Sequence, residues 1–469
     1  MRAADLFLRL FLHLQYVLWY THNMMVSKKK VMTKKKKISP VLIFFLTLGG
    51  ILLVGLSGLL FLSLQTGKRG VQQAWNTGAD ENGGQDGSGQ DNLEGKDNAE
   101  GKTPLHSLWE MIPEKQAAAE EEEEKEPYAD ILRDPEYMAA NRIYEKKSSE
   151  DGRVTLCFAG DILFDDEYAV MAKLKSRGGA IENGISETLI SEMRAADIMM
   201  INNEFPYTNR GTPTEGKTYT FRADTDTVHY LDDLGVDLVS LANNHCYDFG
   251  ETGLLDTLDT LQQDGIPYAG AGRNLEEAAA PVYFISGGMK IGFLSATQIE
   301  RLDNPDTKGA TEGAAGVFRC WNPEKLLAVT EETRKNCDFL VVYIHWGTEN
   351  VAEADWAQLD QAPKIAQAGA DLIIGDHPHC LQGIQYFGET PVFYSLGNFW
   401  FNSKTLDTCL LKVTLTDSRI ESMTFIPAVQ SGCYTSLAEG EEGQRVISYM
   451  NSLSTGVFIG SDGSINRQE

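Results

Sequence analysis

Two histidines flank a proline at His377-Pro378-His379, and other polar clusters of matching chemistry are scattered upstream. They are Gly160-Asp161, Asn202-Asn203-Glu204, Asn243-Asn244-His245 and His345-Trp346-Gly347. Carboxylates, an amide oxygen and imidazoles together form the ligand set of a divalent-metal pair, with Mn, Zn, Fe and Mg all candidates. Such a pair lowers the pKa of a water, clamps the oxygens of an in-line displacement and needs a carboxylate that can reach both ions. Glu204 is the candidate bridge. A proline after His377 restricts that residue to extended backbone, and on extended chain residues two apart point the same way. The spacing therefore predicts that His377 and His379 face one pocket from an extended loop. Asn244 offers a neutral carbonyl oxygen, and the adjacent His245 then falls near the ions without ligating them.

Each cluster ends an apolar, strand-like run: residues 154–159, 198–201, 236–241, 339–344 and 372–374. Ligands of open parallel sheets gather beyond the carboxyl ends of the strands, so five such ends can converge on one site. Between the runs, Leu254, Leu255, Leu258 and Leu261, and later Trp356, Leu359, Ile365 and Ala366, recur at helical spacing. That alternation predicts βαβ units, with helices over 253–261 and 354–370. Gly287-Gly288 between two apolar runs predicts a β-hairpin. Strand pairs at 384–387 with 392–395 and 410–415 with 420–425 make the sheet mixed, parallel early and antiparallel late. No internal repeat is present.

The chain has 469 residues, 42% of them hydrophobic, enough for a full-size core. Its formal net charge of -26 is unevenly spread: Lys28 to Lys30 and Lys34 to Lys37 make the start basic, and the rest is strongly acidic. An acidic surface repels polyanions, which excludes nucleic acid as a partner. Residues 41–64 carry no charge and reach about 36 Å as a helix, enough for a hydrocarbon core of about 30 Å. This predicts a single transmembrane helix with the basic residues 1–40 in the cytoplasm and the rest outside the cell, a cleaved signal peptide being the rival. Met24, Met25 and Met32 are alternative translation starts. Residues 65–152 form an acidic linker, largely too polar to fold, with a lead-in of weak helical spacing over 128–144. The main domain spans 153–435, and 436–469 form a C-terminal segment. Seven cysteines without regular spacing leave at least one unpaired.

Taken with Asp248, Gly250, Gly270-Ala271-Gly272 and Tyr394-Ser395-Leu396-Gly397-Asn398-Phe399, these clusters resemble the CapA family of poly-γ-glutamate capsule synthesis proteins. That resemblance covers about residues 153–435 and implies a calcineurin-like metallophosphoesterase-type domain: a metallophosphatase-like layered α/β fold with mixed sheets. It further implies that Asp161 and His379 hold one metal, and Asn244, His345 and His377 the other, with Glu204 in place of a bridging Asp. His245 becomes the general acid and Asp248 its orienting partner. Two positions depart from the pattern. Leu163 stands where a ligand His is expected, and Asp376 adds a carboxylate that either joins the site or faces away.

Phe221-Arg222 offers positive charge to an anionic substrate, against a plain surface salt bridge. Asn398 either touches the site or only makes a turn. Asp161 alone is also compatible with a helix N-cap. The resemblance implies service in capsule or poly-γ-glutamate synthesis and export, with an anionic polymer or phosphoester as ligand and other capsule-synthesis membrane subunits as partners. Two rivals stand beside a metal-dependent hydrolase: a non-catalytic scaffold that holds polymer, and an unrelated surface phosphoesterase.

Overall fold

Alternation of side chains along the strands sorts the buried residues into three cores and thereby sets the layers of the fold. The computed structural model describes residues 127–299 and 307–468, all within one compact unit, Gln116–Glu469. The alternative starts, the apolar segment 41–64 and the linker up to residue 126 lie outside the described residues. Among the described residues no helix is long and apolar enough to cross a membrane.

The strands form two large mixed sheets, with two further two-stranded ladders beside them among the described residues. The first orders Tyr434–Leu437, Arg419–Ser431, Leu406–Thr416, Arg153–Ile162, Ile198–Asn203, Leu238–Ser240 and Tyr268–Ala269, with Asn398–Trp400 paired beside Arg153–Ile162. Pairing is parallel from Arg153–Ile162 to Tyr268–Ala269 and antiparallel on the other side. The second sheet orders Ile143–Glu145, Val282–Ser286, Met289–Thr297, Phe339–His345, Leu372–Asp376, Thr390–Leu396 and Leu381–Phe387. Its four middle strands, Met289–Thr297 through Thr390–Leu396, are mutually parallel. The hairpin expected at Gly287-Gly288 joins Val282–Ser286 to Met289–Thr297.

Val154, Leu156 and Phe158 share a core with Phe293, Val341 and Ile374 of the other sheet, whereas Cys157 and Ala159, pointing the opposite way, pack with Leu189 and Leu258. Leu189 belongs to the helix Glu187–Arg194 and Leu258 to Gly250–Asp264. On the far face of the second sheet, Val342 and Ile344 pack with Leu326 and Ile365 of the helices Glu324–Arg334 and Trp356–Gln367. The layers therefore run helix, sheet, sheet, helix. Each buried Phe or Leu in the middle core contributes roughly 1.5–3 kcal/mol, which keeps the two sheets in fixed register.

The helix expected over 354–370 is shortened to Trp356–Gln367 because Asp355 caps it, accepting from the amides of Ala357 and Gln358 while the Gln358 side chain accepts from the Asp355 amide. Residues outside 153–435 also join the fold. Ile131 and Met138 pack on the third core, Ile143–Glu145 pairs with Val282–Ser286, and Val446 and Met450 of the helix Gly440–Leu453 enter the middle core. All seven cysteines are free.

Candidate metal centre

Parallel pairing in both sheets points the strand carboxyl ends the same way within each sheet, and the ends of both meet at one buried cluster. Asp161 arrives by a bulge. The register to Ile198–Asn203 shifts between Ala159 and Asp161, and the Asp161 amide donates to the Gly397 carbonyl at 3.0 Å. A Cβ on Gly160 would lie 1.9 Å from that same oxygen, so only glycine fits there. Asp161 thus sits at a strand end and caps no helix. Its carboxylate accepts from Asn202 Nδ2 at 2.7 Å and lies 3.0 Å from His379 Nδ1. Asn398 also touches the site, its Oδ1 lying 2.8 Å from the same His379 nitrogen.

Glu204 occupies the centre. His345 Nε2, His245 Nε2 and His379 Nε2 lie 3.6, 3.9 and 4.0 Å from its Oε1. His345 Nε2 is also 2.8 Å from Asn244 Oδ1 and 3.1 Å from His377 Nδ1. Ligand atoms of Glu204, His345 and His377 all fall within 4.8 Å of one another, and so do those of Asp161, Glu204 and His379. The two groups share Glu204 alone. Glu204 is fully buried, and neither of its carboxylate oxygens has a hydrogen-bond partner. A buried carboxylate left without donors is costly, and a bound cation among these oxygens and imidazoles would satisfy it. The residues fit divalent metal.

His245 is built differently. Its Nδ1 lies 2.7 Å from Asp248 Oδ2, which fixes the proton on that nitrogen, and its ring stacks on Phe221 at 4.1 Å between centroids. Asp248 also accepts from the Phe221 amide at 2.7 Å and pairs with the buried ammonium of Lys217, which in turn bonds the Asn244 carbonyl. Asn243 is a loop organiser: its Oδ1 accepts from the amides of His245 and Cys246, and its Nδ2 donates to Asn202 Oδ1.

Burial, then the negative charges of Asp161 and Asp376, push the Glu204 carboxyl well above the usual range. Burial lowers His345 and His377 well below the ordinary imidazole value, with neighbouring imidazoles adding to it. Burial also lowers His245, against the pull of Asp248. For His379 burial works the same way, but the hydrogen bond and charge of Asp161 outweigh it and the pKa rises. Burial thus favours the neutral, ligating form of His345 and His377.

One expectation needs correction. His377 and His379 do not lie on extended chain: their φ angles are 100° and 56°. The rings still share the pocket, with centroids 5.8 Å apart, but two left-handed residues around Pro378 aim them there. Each such non-glycine residue costs about 1–3 kcal/mol and persists only where surrounding structure imposes it. Asp376 belongs to none of the ligand groups, yet its charge bears on Glu204; one of its oxygens meets the Tyr343 hydroxyl, which also contacts the Ala159 carbonyl, and the other is buried without a hydrogen-bond partner. Leu163 is fully buried in the first core and offers no ligand. The Arg222 guanidinium packs over the Phe249 ring at 4.8 Å, and Arg222 lines a 200 Å³ cleft together with Thr208, Asn209 and the acidic Asp165, Asp166, Glu167 and Asp224. Burial lifts Asp165 to about 6.

Sequence reasoning placed Asn202 in a cluster without giving it a role, and missed Lys217, Tyr343 and Glu349. Glu349 belongs to a third group whose ligand atoms, with those of His377 and His379, lie within 4.8 Å of one another. Its position just after His345-Trp346-Gly347 was the available signal.

Comparison with known proteins agrees with the clusters quoted above. The PGA biosynthesis protein CapA of Bacillus subtilis is 30% identical over 276 residues, covering 57% of this chain and 70% of that protein. The capsule biosynthesis protein CapA of Bacillus anthracis is 27% identical over 300 residues, covering 61% and 70%. A probable polyglutamine synthesis accessory protein of Mycobacterium tuberculosis is 26% identical over 215 residues, covering 45% and 57%. The solved structure of TT1561 of Thermus thermophilus aligns with 56% of this chain and 99% of its own at a TM-score of 0.32 and 10% identity, too low a score to bear on the argument. The family model for the bacterial capsule synthesis protein PGA_cap matches residues 155–403, and the chain belongs to that family, the CapA proteins.

Proposed function

We propose that this chain is a membrane-anchored, externally facing protein of capsule or poly-γ-glutamate synthesis, and that its metallophosphatase-like domain holds two divalent ions and acts on an anionic phosphoester or polymer. The observation that carries the metal reading is Glu204, buried between two imidazole-bearing groups with both oxygens unpartnered. Asp161, Glu204 and His379 would hold one ion, and Glu204, Asn244, His345 and His377 the other. Metal ions at such a site supply Lewis-acid stabilisation of a developing oxyanion. The chain's own residues do the rest. Asp248 and Lys217 hold His245 so that Nε2 faces the cluster, where it can give a proton to a leaving oxygen. Asn202 and Asn398 fix Asp161 and His379, and Asn243 holds the turn that presents Asn244 and His245. The anchoring reading rests on residues 41–64 and the lysines before them, and the pathway on the names of the Bacillus relatives.

Metal analysis of the purified chain should give about two ions per molecule, falling in Glu204→Ala and His379→Ala, with phosphoester hydrolysis lost in His245→Ala. Metal content unchanged in both ligand variants would sink the reading. Leu163, a core residue where a further ligand is expected, favours a second possibility: a metal-bearing scaffold that does not turn over. In that case the His245→Ala protein would restore polymer to a deletion strain. Protease treatment of intact cells tests orientation, since an outward domain is digested and a cytoplasmic one is protected.

A further inference from the structure

Glu349 is the one member of the three ligand groups that is exposed; Asp161, Glu204, His345 and His377 are buried and His379 nearly so. It is nevertheless held against the site. Gly347 and Asn350, on either side of it, have φ angles of 90° and 59°, and the Asn350 amide donates to the Pro378 carbonyl at 2.8 Å. That bond ties the turn carrying Glu349 to the residue between the two histidines. The carboxylate also reaches electrostatically into the site, counting among the negative charges that raise both Glu204 and His379. Glu204 is buried and shared by two of the ligand groups, whereas Glu349 is exposed to solvent while its carboxylate stays within 4.8 Å of the ligand atoms of His377 and His379. It is long, exposed and anchored only through its backbone, so its side chain is free to leave.

We infer that Glu349 is a displaceable carboxylate, closing the solvent side of the metal pair when no substrate is present and giving way to an anionic group that takes its place. This rests on the metal reading above. An acid at this position competes with any phosphate or carboxylate for the same cations, so it sets the affinity for anions rather than the retention of metal. It makes the site selective for substrates that bind through further contacts and shields it from small free anions.

The test uses the full-length chain, Glu349→Gln and Glu349→Ala, each loaded with Mn²⁺ and titrated with inorganic phosphate by calorimetry. Both variants should retain the wild-type number of Mn²⁺ ions and bind phosphate at least about tenfold more tightly. Water-proton relaxation by the bound Mn²⁺ should also rise, since water enters positions the carboxylate vacates. Equal phosphate affinity in all three proteins overturns the inference. So does loss of an ion from the variants, which would make Glu349 a fixed ligand. A wild-type chain that binds none of Mn²⁺, Zn²⁺, Fe²⁺ and Mg²⁺ removes the metal reading itself, and is told apart from the other outcomes by the metal titrations that precede the phosphate one.

Discussion

Two buried carboxylates a few ångströms from the same imidazole are treated in opposite ways. Asp248 is saturated: the His245 ring, the Lys217 ammonium and the Phe221 amide all point at it. Glu204 has no donor at all. Both are fully buried, so burial cannot be the difference. Asp248 belongs to a self-sufficient triad that needs nothing from outside, whereas Glu204 is held by packing in a place where only a proton or a cation can satisfy it. A fold retains such a residue when its unsatisfied charge is useful.

The largest effect should come from breaking the saturated side. Asp248→Ala leaves Lys217 buried without its counter-charge, and removing one partner of a buried pair costs about 3–5 kcal/mol. Chemical denaturation should read that loss, with little change in metal content in whatever folds. If Asp248→Ala is as stable as wild type, the triad is not a structural unit.

The orphaned side should respond with the opposite sign. Glu204→Gln removes a carboxylate crowded by Asp161 and Asp376, so the metal-free protein should melt higher, while metal affinity falls about a hundredfold or more, roughly 2.7 kcal/mol. Thermal melts with and without chelator check both halves. A variant that melts lower without metal would show that Glu204 has a partner in solution.

The comparison also has a pH signature. The Glu204 carboxyl is raised in the folded chain by burial and by its acidic neighbours, so the metal-free fold is favoured with the proton on. Its stability is full below the unfolded carboxyl value and falls as pH rises through the folded one, by up to about 1.4 kcal/mol per unit. A cation needs the carboxylate, so apparent metal affinity should rise over the same window, by up to about tenfold per unit. Chelator-treated melts across pH, repeated on Glu204→Gln, should lose this slope. The smallest change is expected from Asn398→Ala, which frees His379 from one of its two fixing contacts and should weaken metal binding about tenfold.

Much of the site was legible because its residues close apolar runs. Asp161, Glu204, Asn244, His345, His377 and His379 each come at or just after the end of an apolar run, and strand periodicity is local. The hairpin at Gly287-Gly288 was legible for the same reason. Lys217 was not. It lies on a segment without periodicity and reaches Asp248 across a separation of 31 residues, a contact no spacing rule encodes. Arg222 was legible only as a charge next to a site-facing aromatic; that its guanidinium packs over Phe249 in a cleft it shares with acidic residues is tertiary. The direction of His377 and His379 was right and the reason wrong, because Pro378 favoured extended chain and the tertiary structure imposed left-handed turns.

By itself the sequence determined which chemical groups would stand at the strand ends and which family the chain joins, since residue types and short-range alternation are written in the chain. The division into two sheets, the partnering of Asp248 against the isolation of Glu204, and the placing of Glu349 on the solvent side were decided only by the tertiary structure. Hydrogen-bond satisfaction and burial depend on which distant segments meet, and that is set by the packing of the layers as a whole.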